Sequence, residues 1–273
     1  MVTLHTHVFE PDDVSRPAPT VFAIHGLTGH GRRWERLART YLPDVRVIAP
    51  DLIGHGRSPW QPPWNFDAHL DALEEAVNAY IPSSESFVLL GHSFGGALSV
   101  RLAARLGGRI AGLVLLDPAQ GLDPGFALDI ATESLNHWDY ADADAIRAAK
   151  RAEGWAQVPA EDLDFEIAEH LINRPSGRVS WRVSAPATAV AWSEMSLPAQ
   201  LPPPGVPTDI VVADQVDPPF VSTRFLAACA AERPQVRVHH VDCGHMVPLL
   251  EPQLCARLVR ASTRSAAVSD GRP

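Results

Sequence analysis

Short, uninterrupted apolar runs alternate with longer amphipathic stretches along the first part of the chain. Val21-Phe22-Ala23-Ile24 is the first clear run, followed at once by His25-Gly26. Residues 45–49 form a second, ending at Pro50-Asp51; Phe87-Val88-Leu89-Leu90 forms a third; residues 113–116 form a fourth, ending at Asp117-Pro118. Between them, residues 32–41 can be helical and residues 66–80 carry apolar positions at helical spacing. After the third run, Ala97, Leu98, Leu102 and Leu106 share one helical face while Arg101 and Arg105 share another, and Gly107-Gly108 stops the helix. Runs that are apolar throughout, rather than alternating, fit strands covered on both faces. Their alternation with helices predicts parallel βαβ units. Residues 3–9 add a weaker strand pair ahead of them.

The pattern changes at 121. From there to 204 the chain reads as short helices over 126–138, 141–153, 159–173 and 186–195, holding four of its 7 tryptophans, and closes on Pro202-Pro203-Pro204, a stiff connector. Alternation then resumes, with strands over 210–213 and 236–241 and helices over 221–231 and 248–262. This predicts an α/β core made of 1–120 and 205–264, interrupted by a helical cap over 121–204 at the carboxyl edge of the sheet, with a loose tail over 265–273.

Chemistry concentrates where the strands end. Gly91-His92-Ser93-Phe94-Gly95-Gly96 lies between a strand and a helix. In that context Gly-x-Ser-x-Gly reads as a tight turn presenting a serine hydroxyl at the sheet edge, the flanking glycines letting strand and helix pass closely. A serine hydroxyl is a weak nucleophile at neutral pH and needs a base within hydrogen-bond reach. The resumed strands supply candidates: Asp214 and Asp217 follow the first, and Asp242-Cys243-Gly244-His245-Met246 follows the second. Imidazole suits the base, and a carboxylate fixes its tautomer and stabilises the imidazolium.

Composition narrows the partners. A formal net charge of -9, with 23 Lys+Arg and no dense basic cluster, argues against nucleic acid and anionic membrane surfaces. Hydrophobic residues make up 46% of the chain, enough for a substantial core, and no uncharged run is long enough to span a bilayer. Met1 to Glu10 lacks the basic start and apolar core of a signal peptide. The 3 cysteines, Cys229, Cys243 and Cys255, follow no disulfide or zinc spacing. Together these point to a cytoplasmic protein with reduced thiols and no metal or cofactor.

The motifs resemble those of the α/β-hydrolase superfamily: His25-Gly26 after one strand, Asp51-Leu52-Ile53-Gly54-His55-Gly56-Arg57-Ser58 after the next, the Ser93 turn, then Asp217-Pro218 and Gly244-His245-Met246-Val247-Pro248. The resemblance covers 21–120 and 205–262; the segment between matches only as a generic cap. It implies a mostly parallel sheet with helices on both faces and the chain order Ser, Asp, His. By this resemblance Ser93 is the nucleophile, His245 the base and Asp217 the acid, with Asp214 and Asp117 as the alternatives, since some members carry the acid after the earlier strand. The backbone N–H groups of Leu27 and Phe94 form the oxyanion hole.

The resemblance implies a cofactor-free serine hydrolase acting on a small, apolar ester or related acyl compound. Carbon–carbon bond hydrolysis, perhydrolysis and elimination on the same triad remain open, as does a non-catalytic receptor. A serine at the turn excludes the aspartate-nucleophile dehalogenases and epoxide hydrolases. Trp138, Trp181 and Trp192 either line the pocket or staple the cap's own core, and Phe220 and Met246 flank it. His25, His55 and His92 read as structural, Cys243 as a packing residue, and His239-His240 point to opposite faces of a strand.

Overall fold

The apolar runs become strands: β1 (Thr6–Phe9), β2 (Thr20–Ile24), β3 (Arg46–Pro50), β4 (Phe87–His92) and β5 (Ile110–Leu116). A computed structural model of the chain describes residues 2–15 and 17–270, with side chains through Arg264. The two-faced burial expected of parallel strands is visible residue by residue. Phe22 and Ile24 of β2 enter one apolar cluster, and Val21 and Ala23 enter the other. Helix α1 (Phe66–Tyr80) starts where the Asn65 side chain accepts the Ala68 N–H, and α2 (Phe94–Leu106) follows β4 without a loop.

The segment after β5 contributes no strand to this sheet. It forms α3 (Pro124–Asn136), α4 (Ala143–Ala152), α5 (Ala160–His170), a hairpin of β6 (Leu171–Asn173) and β7 (Val179–Trp181), and α6 (Ala185–Met195). The chain then returns to the sheet with β8 (Thr208–Ala213), α7 (Thr223–Glu232), β9 (Val236–Val241), α8 (Val247–Leu250) and α9 (Pro252–Asp270). The 7-stranded sheet has the order β1-β3-β2-β4-β5-β8-β9, parallel except where β1 runs antiparallel to β3. This is the α/β-hydrolase fold that the motifs imply. Among the described residues no helix is long and apolar enough to cross a membrane.

Several expectations need correction. Residues 3–9 give one strand, not two. The helix expected over 32–41 forms, but irregularly: tightly wound over Gly31–Trp34, regular at Glu35-Arg36 and widely wound over Leu37–Tyr41. The helix expected over 159–173 stops at His170, because Leu171–Asn173 pairs with Val179–Trp181 across a turn whose Gly177 has φ +80°. Strands of three residues are too short to show a period in the sequence. Pro252, which has no N–H, separates α8 from α9. The loose tail expected over 265–273 lies partly outside the described residues; as far as Asp270 the backbone continues α9.

Arginines that follow β2 tie the core to the insert. Along α5, Asp162, Glu166 and Glu169 recur at helical spacing and face Arg36, Arg33 and Arg32 respectively. The Arg33–Glu166 pair is bidentate, at 2.8 and 2.7 Å, and buried on both sides. Burial alone pushes the Glu166 carboxyl up, but the charges of Arg33 and His30 outweigh it and hold it well below its usual range. Glu166→Gln leaves Arg33 buried beside a neutral group. A loss of about 3–5 kcal/mol is expected, as for other broken buried pairs. Urea unfolding measures it, and a loss below about 1 kcal/mol, the range of exposed pairs, would contradict a structural role for the pair.

Candidate active site

Strand β4 ends at His92, and Ser93 turns the chain into α2 with φ 55° and ψ -122°, a left-handed conformation that costs energy for any residue with a Cβ. The turn is held from several sides. The Ser93 N–H donates to the Leu116 carbonyl at 3.0 Å, and the Ser93 carbonyl accepts from Gly96 at 2.9 Å and Ala119 at 3.1 Å. A Cβ on Gly26 would stand 2.9 Å from both Ser93 Cβ and His92 Nδ1, so the loop after β2 lies directly against the serine. Phe94 is the first residue of α2, so its N–H belongs to the group that a helix cannot satisfy internally. Leu27 lies in the loop after β2, and both Leu27 and Ser93 border one cavity.

That loop is fixed by a buried histidine. His25 Nε2 accepts the Leu52 N–H at 3.0 Å, so its Nδ1 carries the proton and donates to the Gly26 carbonyl at 2.7 Å. Protonating the ring would destroy the first of these bonds. His92 works similarly: its Nε2 donates to the His245 carbonyl at 2.8 Å, anchoring the turn that carries His245. The sequence marks both histidines only as members of motifs; the partners that make them structural lie on other loops.

The carboxylate on His245 is that of Asp117. Asp117 Oδ2 accepts from His245 Nδ1 at 2.6 Å, and the two side chains are 2% and 24% exposed respectively. Asp117 directly follows β5, with φ 44°. Its N–H donates to the Val211 carbonyl at 2.8 Å and its Oδ1 accepts the Ala213 N–H at 3.2 Å. Its carboxylate is therefore held against the end of β8, facing the turn after β9. Asp217, expected in this position, is instead exposed in the loop beyond β8. The reason is local. After Ala213 the chain turns toward β9, where Asp214 and Gln215 bond the carbonyls of Val241 and Cys243, and this carries Asp217 away from the sheet edge. Asp214 faces His240 at 2.7 Å on the outer side. The signal for Asp117 is present in the sequence as Asp117-Pro118 after a strand. Only the sheet order says that this strand end, rather than the next, faces His245.

Ser93, His245, Leu27, Phe220, Met246 and the three tryptophans expected near the pocket all border a cavity of about 470 Å³. Phe220 stands edge-on to the His245 ring, 4.5 Å between centroids, and packs against Phe126 and Trp192. Trp181 belongs to, and Trp138 packs against, an apolar cluster that the segment after β5 forms with Met246 and Leu249, so for both tryptophans packing in that cluster and lining the cavity are not alternatives. Cys243 is buried, its thiol pushed up to about 11 by burial and neighbouring acids. His239 and His240 bind different carboxylates, Asp209 and Asp214. Sequence reasoning missed one cluster: His5, His7 and Asp51 each offer a ligand atom within 4.8 Å of the others. The Asp51 carboxylate there already accepts from Gly31 and Arg57.

A parallel sheet with a strained serine at the end of β4, and a histidine–carboxylate pair at its edge, defines a class of hydrolytic enzymes. The alpha/beta hydrolase family model matches residues 21–258, and the chain belongs to that family. It is 40% identical over 262 residues to lipase LipV of Mycobacterium tuberculosis, covering 96% of this chain and 98% of that protein. To esterase YbfF of Escherichia coli it is 26% identical over 250 residues, covering 88% and 91%. The crystal structure of E-2-(acetamidomethylene)succinate hydrolase superposes with a TM-score of 0.78 over 96% of both chains at 19% identity, a likeness of fold.

Burial keeps the histidines around the site neutral. His25, His92 and His170 are held well below their usual range, and His55 is brought down to about 4, desolvation being the largest cause in each. In the unfolded chain these rings titrate near about 6.5. Below that pH the unfolded chain takes up protons that the fold refuses, so stability falls as pH drops from about 6.5 toward the folded values. Each such ring contributes up to about 1.4 kcal/mol per pH unit. Urea midpoints measured between about pH 7 and 5 are expected to decline steadily; a flat profile would contradict neutral burial of these rings.

Proposed function

We propose that the protein hydrolyses carboxylic esters through an acyl-enzyme formed on Ser93, with His245 as base and Asp117 as the carboxylate that orients it. The observation that carries this reading is the short hydrogen bond between the buried Asp117 carboxylate and His245, at the cavity that Ser93 also borders. The relatives named lipase and esterase support it. A carboxylate can only accept, so His245 Nδ1 holds the proton and Nε2 offers its lone pair to the cavity. Nε2 takes the hydroxyl proton as Ser93 Oγ adds to the ester carbonyl. The oxyanion so formed rests on the N–H groups of Leu27 and Phe94; loss of one such donor typically costs about 3–4 kcal/mol of transition-state stabilisation. The imidazolium returns the proton to the departing alkoxide, and the alcohol leaves. Water then repeats the sequence on the acyl-enzyme and releases the acid. The insert covers the cavity and shapes the space for the substrate.

Ser93→Ala is expected to abolish labelling by a fluorophosphonate and turnover of p-nitrophenyl esters while leaving the unfolding midpoint near that of the wild type. Asp117→Asn is expected to lower kcat on the order of ten-thousandfold, as the wrong tautomer does in serine proteases. Asp217→Asn and Asp214→Asn should change it less than about tenfold. Thioester and β-diketone substrates run beside the esters separate acyl transfer from carbon–carbon cleavage. An Asp217→Asn variant more damaged than Asp117→Asn would overturn the assignment of the acid. Turnover of the diketone alone would overturn the ester reading.

A further inference from the structure

A second group of chemically capable side chains lies where the edge strand β1 meets the end of β3. The two strands pair antiparallel, with Thr6 opposite Pro50 and His7 opposite Ala49. One step further, the His5 carbonyl accepts the Asp51 N–H at 2.8 Å, so His5 stands opposite Asp51. Residues two apart on a strand share a face, which puts both imidazoles and the carboxylate on one side of the pair. Their ligand atoms all lie within 4.8 Å of one another, and His7 Nε2 is 3.7 Å from Asp51 Oδ1. None of the three borders the Ser93 cavity.

The three side chains are oriented from outside. Asp51 Oδ1 accepts the Gly31 N–H at 2.7 Å and Oδ2 accepts the Arg57 N–H at 2.8 Å, while the side chain is only 2% exposed. One backbone donor on each oxygen fixes an ionised carboxylate and leaves each oxygen a further lone pair. The ring facing that carboxylate is His7, which carries charge only when protonated. The Arg57 guanidinium turns instead to Glu169 at 2.9 Å. A bound cation would supply the buried carboxylate with a counter-charge that a neutral imidazole does not. His7 itself is packed in place: a Cβ on Gly31 would stand 2.8 Å from its Cδ2, and its ring stacks on Phe9 at 6.4 Å between centroids. His5 meets His7 edge-on, at 4.7 Å, and its N–H donates to Ser58 Oγ at 2.9 Å. Contacts of this kind are what orient ligands around a metal ion.

We propose that His5, His7 and Asp51 form a binding site for a divalent transition-metal ion of the zinc type. Two imidazoles and one carboxylate suit Zn²⁺, Cu²⁺ or Ni²⁺ and disfavour Ca²⁺ and Mg²⁺, which take oxygen ligands. In a tetrahedral zinc site with ligands at about 2.0–2.1 Å, neighbouring ligand atoms stand about 3.3 Å apart. His7 and Asp51 are close to that spacing, so the remaining closure falls to the His5 ring. His5 is half-buried and borders a surface groove with Arg57, Ser58 and Tyr80, which gives the ring room to turn and the ion a path of entry. Water completes the fourth position. The ion ties β1 to the end of β3 and, through Asp51, to Gly31 in the segment after β2. It stabilises the folded chain, because the unfolded chain keeps no such arrangement. The site is separate from ester hydrolysis and does not depend on that reading.

The test titrates the full chain, first stripped with a chelator, with zinc chloride by calorimetry, and follows Tm with and without the metal. One Zn²⁺ is expected to bind with a Kd on the order of micromolar, weaker than a four-ligand structural site because water fills one position. At a hundredfold excess over Kd the Tm should rise by about 5 °C, and a chelator should reverse the rise. His5→Gln and His7→Gln each remove one ligand. Each should weaken binding by at least about tenfold, the least that even an outer-shell partner costs, and lose most of the Tm rise. Electron paramagnetic resonance of the wild type loaded with Cu²⁺ reads the ligands without any substitution and should show two imidazole nitrogens. Fewer than two would overturn the site, as would the lack of any Zn²⁺ binding tighter than about 100 µM. Zinc binding unchanged in the variant lacking both histidines would place the ion elsewhere on the chain and overturn it too. Binding of Mg²⁺ or Ca²⁺ as tight as that of Zn²⁺ would likewise contradict imidazole ligation.

Discussion

Helix α2 passes so close to strand β2 that a Cβ on Gly95 would collide with the backbone carbonyls of Ile24 and His25. The rest of the site depends on that approach. It forces β4 into α2 with no intervening loop and leaves Ser93 in a backbone conformation that few residues adopt. It also brings the loop carrying Leu27 against the serine and the first turn of the helix. The strain at one residue is sustained by hydrogen bonds from Gly96 and Ala119 and to Leu116, so neighbouring strand and helix over-determine the turn.

The sheet order supplies the rest of the geometry. β4, β5, β8 and β9 are successive neighbours, and their carboxyl ends lie along one edge. Ser93 follows the first, Asp117 the second and His245 the last, while β8 contributes backbone N–H and carbonyl groups that clamp Asp117 in place. The acid therefore reaches the histidine across the end of a strand that lends it only backbone bonds. Such an arrangement tolerates change in the loop after β8, which here holds the exposed Asp214 and Asp217.

Much of this was legible in the sequence, for reasons that differ by element. Runs such as Phe87-Val88-Leu89-Leu90 identify buried strands because a strand covered on both faces has no polar positions. The Gly-x-Ser-x-Gly turn is legible because close packing excludes side chains at fixed positions. Asp117 was visible only as one of three acids, since the choice turns on which strand ends lie opposite His245. The β6–β7 hairpin escaped because its strands are too short to show a period. That the indoles of Trp138 and Trp181 meet no hydrogen-bond partner among the described residues is likewise a property of their surroundings. The sequence marks them only as large aromatic residues in the insert.

Asp117, and not an acid after β8, holds the His245 imidazole. The hydrogen bond itself can be observed without substrate. A proton shared between an imidazole Nδ1 and a carboxylate at 2.6 Å resonates far downfield of the amide region in a proton NMR spectrum recorded in water. The wild type is expected to show such a resonance, Asp217→Asn to retain it and Asp117→Asn to lose it. A resonance that survives in Asp117→Asn and disappears in Asp217→Asn would contradict this pairing.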